Sequence, residues 1–164
     1  MKILSKSNIK TILRLIYCRR DNINVPYNFK DGYTDKILPM NRFSIEHVVP
    51  KCYLPDKRLW DLNNLLVVDK DLNNFRSNTR FGQIHLKNLS FCPPCKQSRG
   101  TVSRICAHML YTCPVLDQKL IIDKETMFRW NEKYPVTDLE RQRNYLIYIY
   151  QGTYNKFIDN NNNF

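Results

Sequence analysis

The chain has 164 residues, which is enough for one domain with a hydrophobic core, and 43% of them are hydrophobic. Its 26 Lys and Arg residues exceed its 15 Asp and Glu residues, so the formal net charge is +11. This balance favours a polyanionic partner, with nucleic acid first and an anionic membrane surface second. The four glycines are too far apart for a Rossmann fingerprint or a P-loop, which excludes both nucleotide-binding motifs.

The N-terminal segment has the apolar pattern of a helix and lacks the pattern of an export signal. It predicts an amphipathic helix over residues 5–18. The apolar face of this helix is formed by Ile9, Ile12, Leu13 and Ile16. No small-residue cleavage site follows, and no stretch reaches the roughly 18 apolar residues of a membrane helix. We therefore expect an intracellular protein that has no membrane partner.

Two strands are predicted in the first half of the chain. Residues 19–42 are polar and rich in Asn, Asp, Gly and Pro, which predicts an irregular arm. A β-branched run then predicts a strand over residues 43–49, and Pro50 ends it. A basic loop over residues 51–60 leads to a second predicted strand over residues 64–68.

A short helix follows the second strand. Asp69 is a suitable N-cap residue and predicts a helix over residues 70–78. Two strands and a helix within about 35 residues are compact enough to form one supersecondary unit. We place the limits of this unit at about residues 43–79.

Three further helical segments are predicted from apolar period, over residues 101–111, 115–134 and 138–151. Thr101 is the expected N-cap of the first. In the last, Tyr145 and Tyr148 are expected to face the core. The Asn-rich residues 160–164 predict a frayed tail. We expect an α+β fold, with a mostly helical single domain over residues 1–159 around the small two-stranded element.

Glu46 and His47, at the end of the first predicted strand, are the sharpest local signal for chemistry. Phosphodiester hydrolysis needs a deprotonated water and a cation against the charge of the transition state. An imidazole accepts a proton near neutral pH, and a carboxylate with an amide oxygen holds Mg²⁺. Periodicity does not select Asn73 over Asn74 or Asn78 for the amide. A strand edge that faces solvent is the competing interpretation of the Glu-His pair.

Short motifs occur in order along the chain: I-E-H-V-V-P-K at 45–51, D-L-N-N-L at 61–65, N-x-x-R-x-N at 73–78, R-G-T-V-S-R at 99–104, and E-R-Q-R-N at 140–144. In this order they resemble the endonuclease I family of the ββα-metal (His-Me finger) nucleases. The resemblance extends from about residue 43 to residue 159. It implies that the two predicted strands and the helix form a ββα-metal core.

The resemblance implies a metal-dependent endonuclease that hydrolyses phosphodiester bonds of DNA, with RNA as the second substrate class. Glu46 and Asn73 would be ligands of Mg²⁺, or of Mn²⁺ or Ca²⁺ in its place, and His47 would be the general base. Water would attack in line and leave 5′-phosphate and 3′-hydroxyl ends. Arg76 and Arg58 are the candidates for phosphate binding. We expect a monomer with little sequence specificity.

Six cysteines require a separate explanation. Cys92 and Cys95 have the spacing of a zinc knuckle or a redox pair, and Cys106 and Cys113 follow at helical spacing. These four thiols are candidates for a structural Zn²⁺ site, with inert thiols or a disulfide as alternatives. The alternative function is a catalytically inactive, zinc-stabilised nucleic-acid-binding protein.

Overall fold

The computed structural model describes residues 4–19, 28–39, 41–83 and 89–159. Within these ranges the chain forms six α-helices and two small antiparallel sheets. This architecture confirms the predicted α+β fold with mostly helical content. The predicted frayed tail, residues 160–164, lies outside the described residues. None of the helices in the described ranges is both long and apolar enough to cross a membrane.

The helices and strands follow one another in an irregular order along the chain. The helices are α1 (Lys6–Tyr17), α2 (Lys70–Arg76), α3 (Lys96–Thr112), α4 (Lys124–Lys133), α5 (Asp138–Gln151) and α6 (Lys156–Asp159). The strands are β1 (Cys18–Arg19), β2 (Asn28–Lys30), β3 (Ile37–Pro39), β4 (Phe43–His47) and β5 (Leu65–Asp69). One sheet has the order β1-β2-β3, and the other pairs β4 with β5.

The first sheet corrects the prediction of an irregular arm over residues 19–42. Phe29 of β2 pairs with Leu38 of β3, and both side chains are buried. The strands have only two or three residues each, which is too short for alternation of apolar and polar residues to be recognised in the sequence. Burial against α1 stabilises the strands of this sheet more than the β-propensity of their residues does.

The predicted strand-strand-helix unit is present, with limits shifted by one or two residues. β4 pairs with β5 from Phe43 opposite Asp69 to His47 opposite Leu65. The Asp69 carboxylate caps α2 and accepts from two backbone N–H groups of its first turn. Beyond the strand, the amide of Asn64 accepts from the Val49 N–H at 2.8 Å and donates to the Val49 carbonyl at 3.0 Å.

Strand β5 is buried on both faces, because its side chains alternate between two hydrophobic clusters. Leu66 and Val68 pack into the larger cluster, together with residues of α3 and α4. Leu65 and Val67 pack into the other cluster, which includes residues of α1 and β2. β5 is therefore a fixed element in the centre of the domain, and it holds β4 through the ladder.

Two helical limits differ from the prediction. Helix α3 begins at Lys96, so Thr101 lies in the second turn and is not an N-cap. The predicted helix over residues 115–134 is split into a 3₁₀ turn at Pro114–Leu116 and helix α4. Between them the chain forms a turn and a single β-bridge, in which Phe81 donates to the Ile121 carbonyl at 2.8 Å and both side chains are buried.

Helix α5 has the predicted limits but a different exposed face. Tyr145 is 64% exposed and Tyr148 is 52% exposed, so the expectation that both face the core is wrong. The buried face of α5 carries polar side chains instead, among them Glu140, Arg143 and Asn144. Counting apolar residues along α5 gives the wrong buried face, because these polar side chains are buried and form hydrogen bonds.

Candidate active site

A cleft of about 310 Å³ lies between the end of β4, the turn that follows it, and α2. Glu46, His47 and Asn73 all line this cleft. Glu46 and His47 are the last two residues of β4, and Asn73 is in the middle of α2. The structure therefore brings the predicted metal ligands and the predicted base to one cavity.

Glu46 is buried, with one carboxylate oxygen held by two donors. The Tyr33 hydroxyl donates to Oε1 at 2.6 Å, and Arg76 Nη1 donates to the same atom at 2.7 Å. Burial raises the pKa of Glu46, while the charge of Arg76 and these hydrogen bonds act in the opposite direction. Both of these donors bind Oε1, and a hydrogen bond from the His47 backbone is a smaller influence on the pKa of the carboxylate.

Sequence reasoning did not identify Tyr33 as a residue of the site. It is fully buried in the turn between β2 and β3, inside the segment predicted as an irregular arm. A single tyrosine in a polar segment gives no pattern that points to a carboxylate distant in sequence. Burial raises the pKa of the Tyr33 hydroxyl well above its usual value, which keeps it a donor.

The ring of His47 is held in one tautomer by a backbone contact. Its Nε2 lies 2.8 Å from the carbonyl oxygen of Leu59, and because a carbonyl only accepts, Nε2 carries the proton. The Nδ1 lone pair has no hydrogen-bond partner among the residues that the structure describes. Burial lowers the pKa of His47 to about 4, so the ring is neutral at pH 7 and able to accept a proton.

Asn73 is oriented by two hydrogen bonds from its amide nitrogen. Nδ2 donates to Ser44 Oγ at 2.9 Å and to the Ile45 carbonyl at 3.3 Å. The amide oxygen is thereby turned away from the strand, and no described residue bonds to it. Asn74 and Asn78 also line the cleft but are exposed. The orientation of its amide distinguishes Asn73 from these neighbours.

Arg76 lines the cleft, but its guanidinium is used by the protein. It donates to Glu46 Oε1, to the carbonyls of His47 and Val48 at 3.0 and 2.7 Å, and to the Thr79 carbonyl at 3.1 Å. Its side chain is 1% exposed. These contacts make Arg76 a positioning residue for Glu46 and the end of β4, whereas phosphate binding by Arg76 stays a prediction.

Arg58, the other predicted phosphate ligand, is not among the residues that line the cleft. Its Nη1 donates to Asp61 Oδ2 at 2.8 Å, and its Nη2 donates to the Thr112 carbonyl at 2.7 Å. The side chain therefore joins the loop before β5 to the end of α3. The structure does not bring Arg58 together with Glu46, and its predicted role also stays a prediction.

Zinc binding by the four cysteines stays a prediction, since the structure does not gather them into one group of ligands. Cys92 and Cys95 are half-buried, Cys106 and Cys113 are buried, and all four are free thiols. Burial raises the pKa of Cys106 to about 12, which disfavours the thiolate that zinc requires. In the part of the chain that the structure describes, no group of three or more His, Cys, Asp or Glu residues could hold a metal ion.

The cleft has a different donor set, consisting of oxygen atoms. The hydrogen bonds of Tyr33 and Ser44 are to Glu46 Oε1 and from Asn73 Nδ2, and the carboxylate of Glu46 and the amide of Asn73 line the same cavity. Mg²⁺ prefers oxygen ligands, retains several waters, and is often held by only one or two protein groups and a substrate phosphate. The residues present therefore fit an ion of this type.

Polar side chains of α5 hold the segment that precedes β5. Arg143 Nη2 donates to the carbonyls of Leu62 and Leu65, both at 2.9 Å. Gln151 accepts from the Leu62 N–H at 2.8 Å and donates to Asp61 Oδ1 at 2.8 Å. Because β5 pairs with β4, these contacts fix the strand that carries Glu46 and His47. Arg143 belongs to the E-R-Q-R-N motif, but the sequence analysis assigned it no role.

A second group of polar contacts joins α3, α5 and α6. Arg104 forms a bidentate ion pair with Glu140, with two N–O distances of 2.7 Å, and both side chains are buried. Asn155 donates to the Arg104 carbonyl at 2.9 Å, and its own N–H donates to Asn144 Oδ1 at 2.8 Å. The C-terminal helices are therefore one rigid support for the strand pair.

Comparisons with known proteins give one family match and one curated relative. The Endonuclease I family model matches residues 90–162 of the chain. A curated relative, Endonuclease-1 of Buchnera aphidicola subsp. Baizongia pistaciae (strain Bp), is 32% identical over 115 residues. The alignment covers 60% of this chain and 45% of the relative, so the chain spans less than half of the relative's length.

The chain is therefore similar to the endonuclease I family and to one Endonuclease-1, in agreement with the resemblance predicted from its motifs. The family match covers the C-terminal helices and their buried polar network. Glu46, His47 and Asn73 precede the matched residues. The proposed roles of these three residues therefore rest on the geometry of the cleft.

Proposed function

We propose that this chain is a metal-dependent endonuclease that hydrolyses phosphodiester bonds of nucleic acid, DNA first, with little sequence specificity. The observation that carries the proposal is the presence of Glu46, His47 and Asn73 in one cleft. The net charge of +11 supports a polyanionic substrate that is bound through its phosphates. The similarity to the Endonuclease I family and to an Endonuclease-1 supports the reaction class.

His47 is the general base of the proposed reaction. The Leu59 carbonyl holds the Nε2–H, so Nδ1 receives the proton of the attacking water. The same carbonyl stabilises the imidazolium that forms. Water oxygen bonds to phosphorus as the bond from phosphorus to the 3′ oxygen breaks, and the 3′ oxygen takes a proton from solvent. The products carry 5′-phosphate and 3′-hydroxyl ends.

Glu46 and Asn73 would hold the metal, Mg²⁺ or Mn²⁺ or Ca²⁺ in its place. When bound, such an ion supplies positive charge against the phosphate oxygens. Tyr33 and Arg76 fix Glu46 Oε1, which leaves Oε2 as the ligand atom. Ser44 orients the amide of Asn73 so that its oxygen is the ligand.

The test is the nicking of supercoiled plasmid by the wild-type chain, in Mg²⁺ and in EDTA, with end-labelling of the products. We expect nicks in Mg²⁺ only, with 5′-phosphate and 3′-hydroxyl ends. A chain that retards the plasmid but never nicks it in Mg²⁺, Mn²⁺ or Ca²⁺ would instead be a nucleic-acid-binding protein without catalysis. Ends of the opposite type would contradict the proposed direction of attack.

A further inference from the structure

Lys51 is a basic residue of the cleft whose charge is left without an acidic partner. It begins the 3₁₀ turn Lys51–Tyr53 that follows β4, it lines the cleft with His47, and it is exposed. Among the ion pairs of the described ranges, none includes Lys51. Its ammonium group is thus available to an anion that enters the cleft.

The ammonium group of Lys51 lies beside the Trp60 ring. Lys51 Nζ lies 5.6 Å from the centroid of the Trp60 ring, and that ring packs edge-on against His47 with 5.6 Å between centroids. Lys51 and His47 therefore lie beside the same ring and line the same cleft.

The other basic side chain of the cleft cannot take this role without losing protein contacts. Arg76 donates to four acceptors, one of them the carboxylate of Glu46. A phosphate that recruited Arg76 would compete with the Glu46 ion pair and with the carbonyls at the end of β4. To contact a phosphate, Lys51 gives up only its cation–π contact with Trp60. Such a contact contributes about 0.5–1 kcal/mol at an exposed site.

We propose that Lys51 is a catalytic residue of the nuclease, and that its ammonium group contacts a non-bridging oxygen of the scissile phosphate. This inference rests on the proposed function, because it names a further residue of the same cleft. The negative charge on the phosphate oxygens is stabilised by a fixed cation during attack. Lys51 thus adds a phosphate contact to the two candidates, Arg76 and Arg58, that the sequence predicted.

The test compares Lys51→Gln with Lys57→Gln, which removes the same charge from the same loop. Lys57 is exposed and is not among the residues lining the cleft. We expect Lys51→Gln to lower kcat about 100-fold or more, as loss of a transition-state donor does, with KM changed by less than about threefold. Lys57→Gln should leave kcat near wild type. Lys51→Arg, which keeps the charge, should restore most of the activity.

Binding of a labelled duplex in EDTA provides the second measurement. We expect Lys51→Gln and Lys57→Gln to weaken it equally, because each removes one long-range charge. An active wild type with equal kcat in the two Gln variants would overturn the role of Lys51 and leave the proposed function intact. A wild type that never cleaves would overturn the proposed function and this inference together.

Discussion

Arg76 Nη1 lies 2.7 Å from Oε1 of Glu46, and both side chains are almost completely buried. The pair joins the last turn of α2 to the end of β4. Tyr33 donates to the same carboxylate oxygen from a third part of the chain. Because two donors hold Oε1, the orientation of the carboxylate is fixed, and Glu46 lines the cleft in this orientation. The chemistry proposed for Glu46 thus depends on Tyr33 and Arg76, which fix its carboxylate.

Tyr33→Phe should weaken both the fold and the affinity for metal. The change removes a hydrogen bond to a charged group, and such bonds contribute about 1.5–3 kcal/mol. We expect a lower free energy of unfolding in urea and a higher Mn²⁺ concentration for half-saturation, followed by the electron paramagnetic resonance signal of free Mn²⁺. Tyr145→Phe, at an exposed tyrosine, is the control. Equal Mn²⁺ affinity in the two variants would refute the positioning role of Tyr33.

Glu140→Gln should be strongly destabilising, because it leaves the charge of Arg104 buried without its partner. Loss of one member of a buried pair typically removes about 3–5 kcal/mol from the free energy of unfolding. Glu125→Gln provides a matched comparison, since the Glu125 pair with Arg129 is exposed and longer, at 3.6 Å. Urea denaturation should show a much smaller loss for it. Similar losses for the two variants would contradict the structural importance of the buried pair.

Gly100→Ala should destabilise the protein, although alanine is normally the better helix former by about 1 kcal/mol. A Cβ at this position would lie 2.9 Å from Tyr134 Cβ and closer still to the Tyr134 carbonyl oxygen. Overpacking of this kind typically costs about 1–3 kcal/mol. Thermal unfolding should therefore show a lower Tm. A higher Tm would mean that α3 and the end of α4 do not approach this closely.

Unfolding should become easier as the pH falls from about 6.5 to about 4. Burial lowers the pKa of His108 to about 4, despite the carboxylate of Asp61. The unfolded chain binds a proton first, so each such histidine reduces the free energy of unfolding by about 1.4 kcal/mol per pH unit in this window. The pKa of His47 is lowered to a similar value, which adds to the effect.

His108→Asn isolates one of these contributions. The variant cannot titrate in this window, so its free energy of unfolding should fall less steeply between pH 6.5 and pH 4 than that of the wild type. Urea titrations at several pH values measure both slopes. An unchanged slope would show that His108 takes up its proton equally in the folded and unfolded chains.

The strand-strand-helix unit could be predicted from the sequence, because the residues that indicate it are close together in the chain. A β-branched run ending at Pro50 and an N-cap at Asp69 determine β4 and α2 without help from distant residues. The start of α3 was not predictable in this way. Residues 96–100 are polar and include a glycine, and they are helical because they pack against Tyr134 and neighbouring residues.

The candidate site, like the fold, could be predicted only in part from the sequence. Glu46 and His47 are adjacent in sequence, and their residue types are sufficient to propose a metal ligand and a base. Arg76 and Tyr33 reach Glu46 from 30 and 13 residues away, so their roles depend on tertiary structure. No local pattern distinguishes an arginine that binds phosphate from one that is buried against carbonyls.

The most direct test of His47 as the general base compares plasmid cleavage in Mg²⁺ by the wild type, His47→Ala and His47→Gln. The Gln variant retains a donor for the Leu59 carbonyl but has no base, so it separates catalysis from folding. We predict that both variants remain folded by circular dichroism, bind DNA, and cleave about 10²–10⁴-fold more slowly, as loss of a general base requires. Cleavage by His47→Gln at the wild-type rate would contradict the central claim.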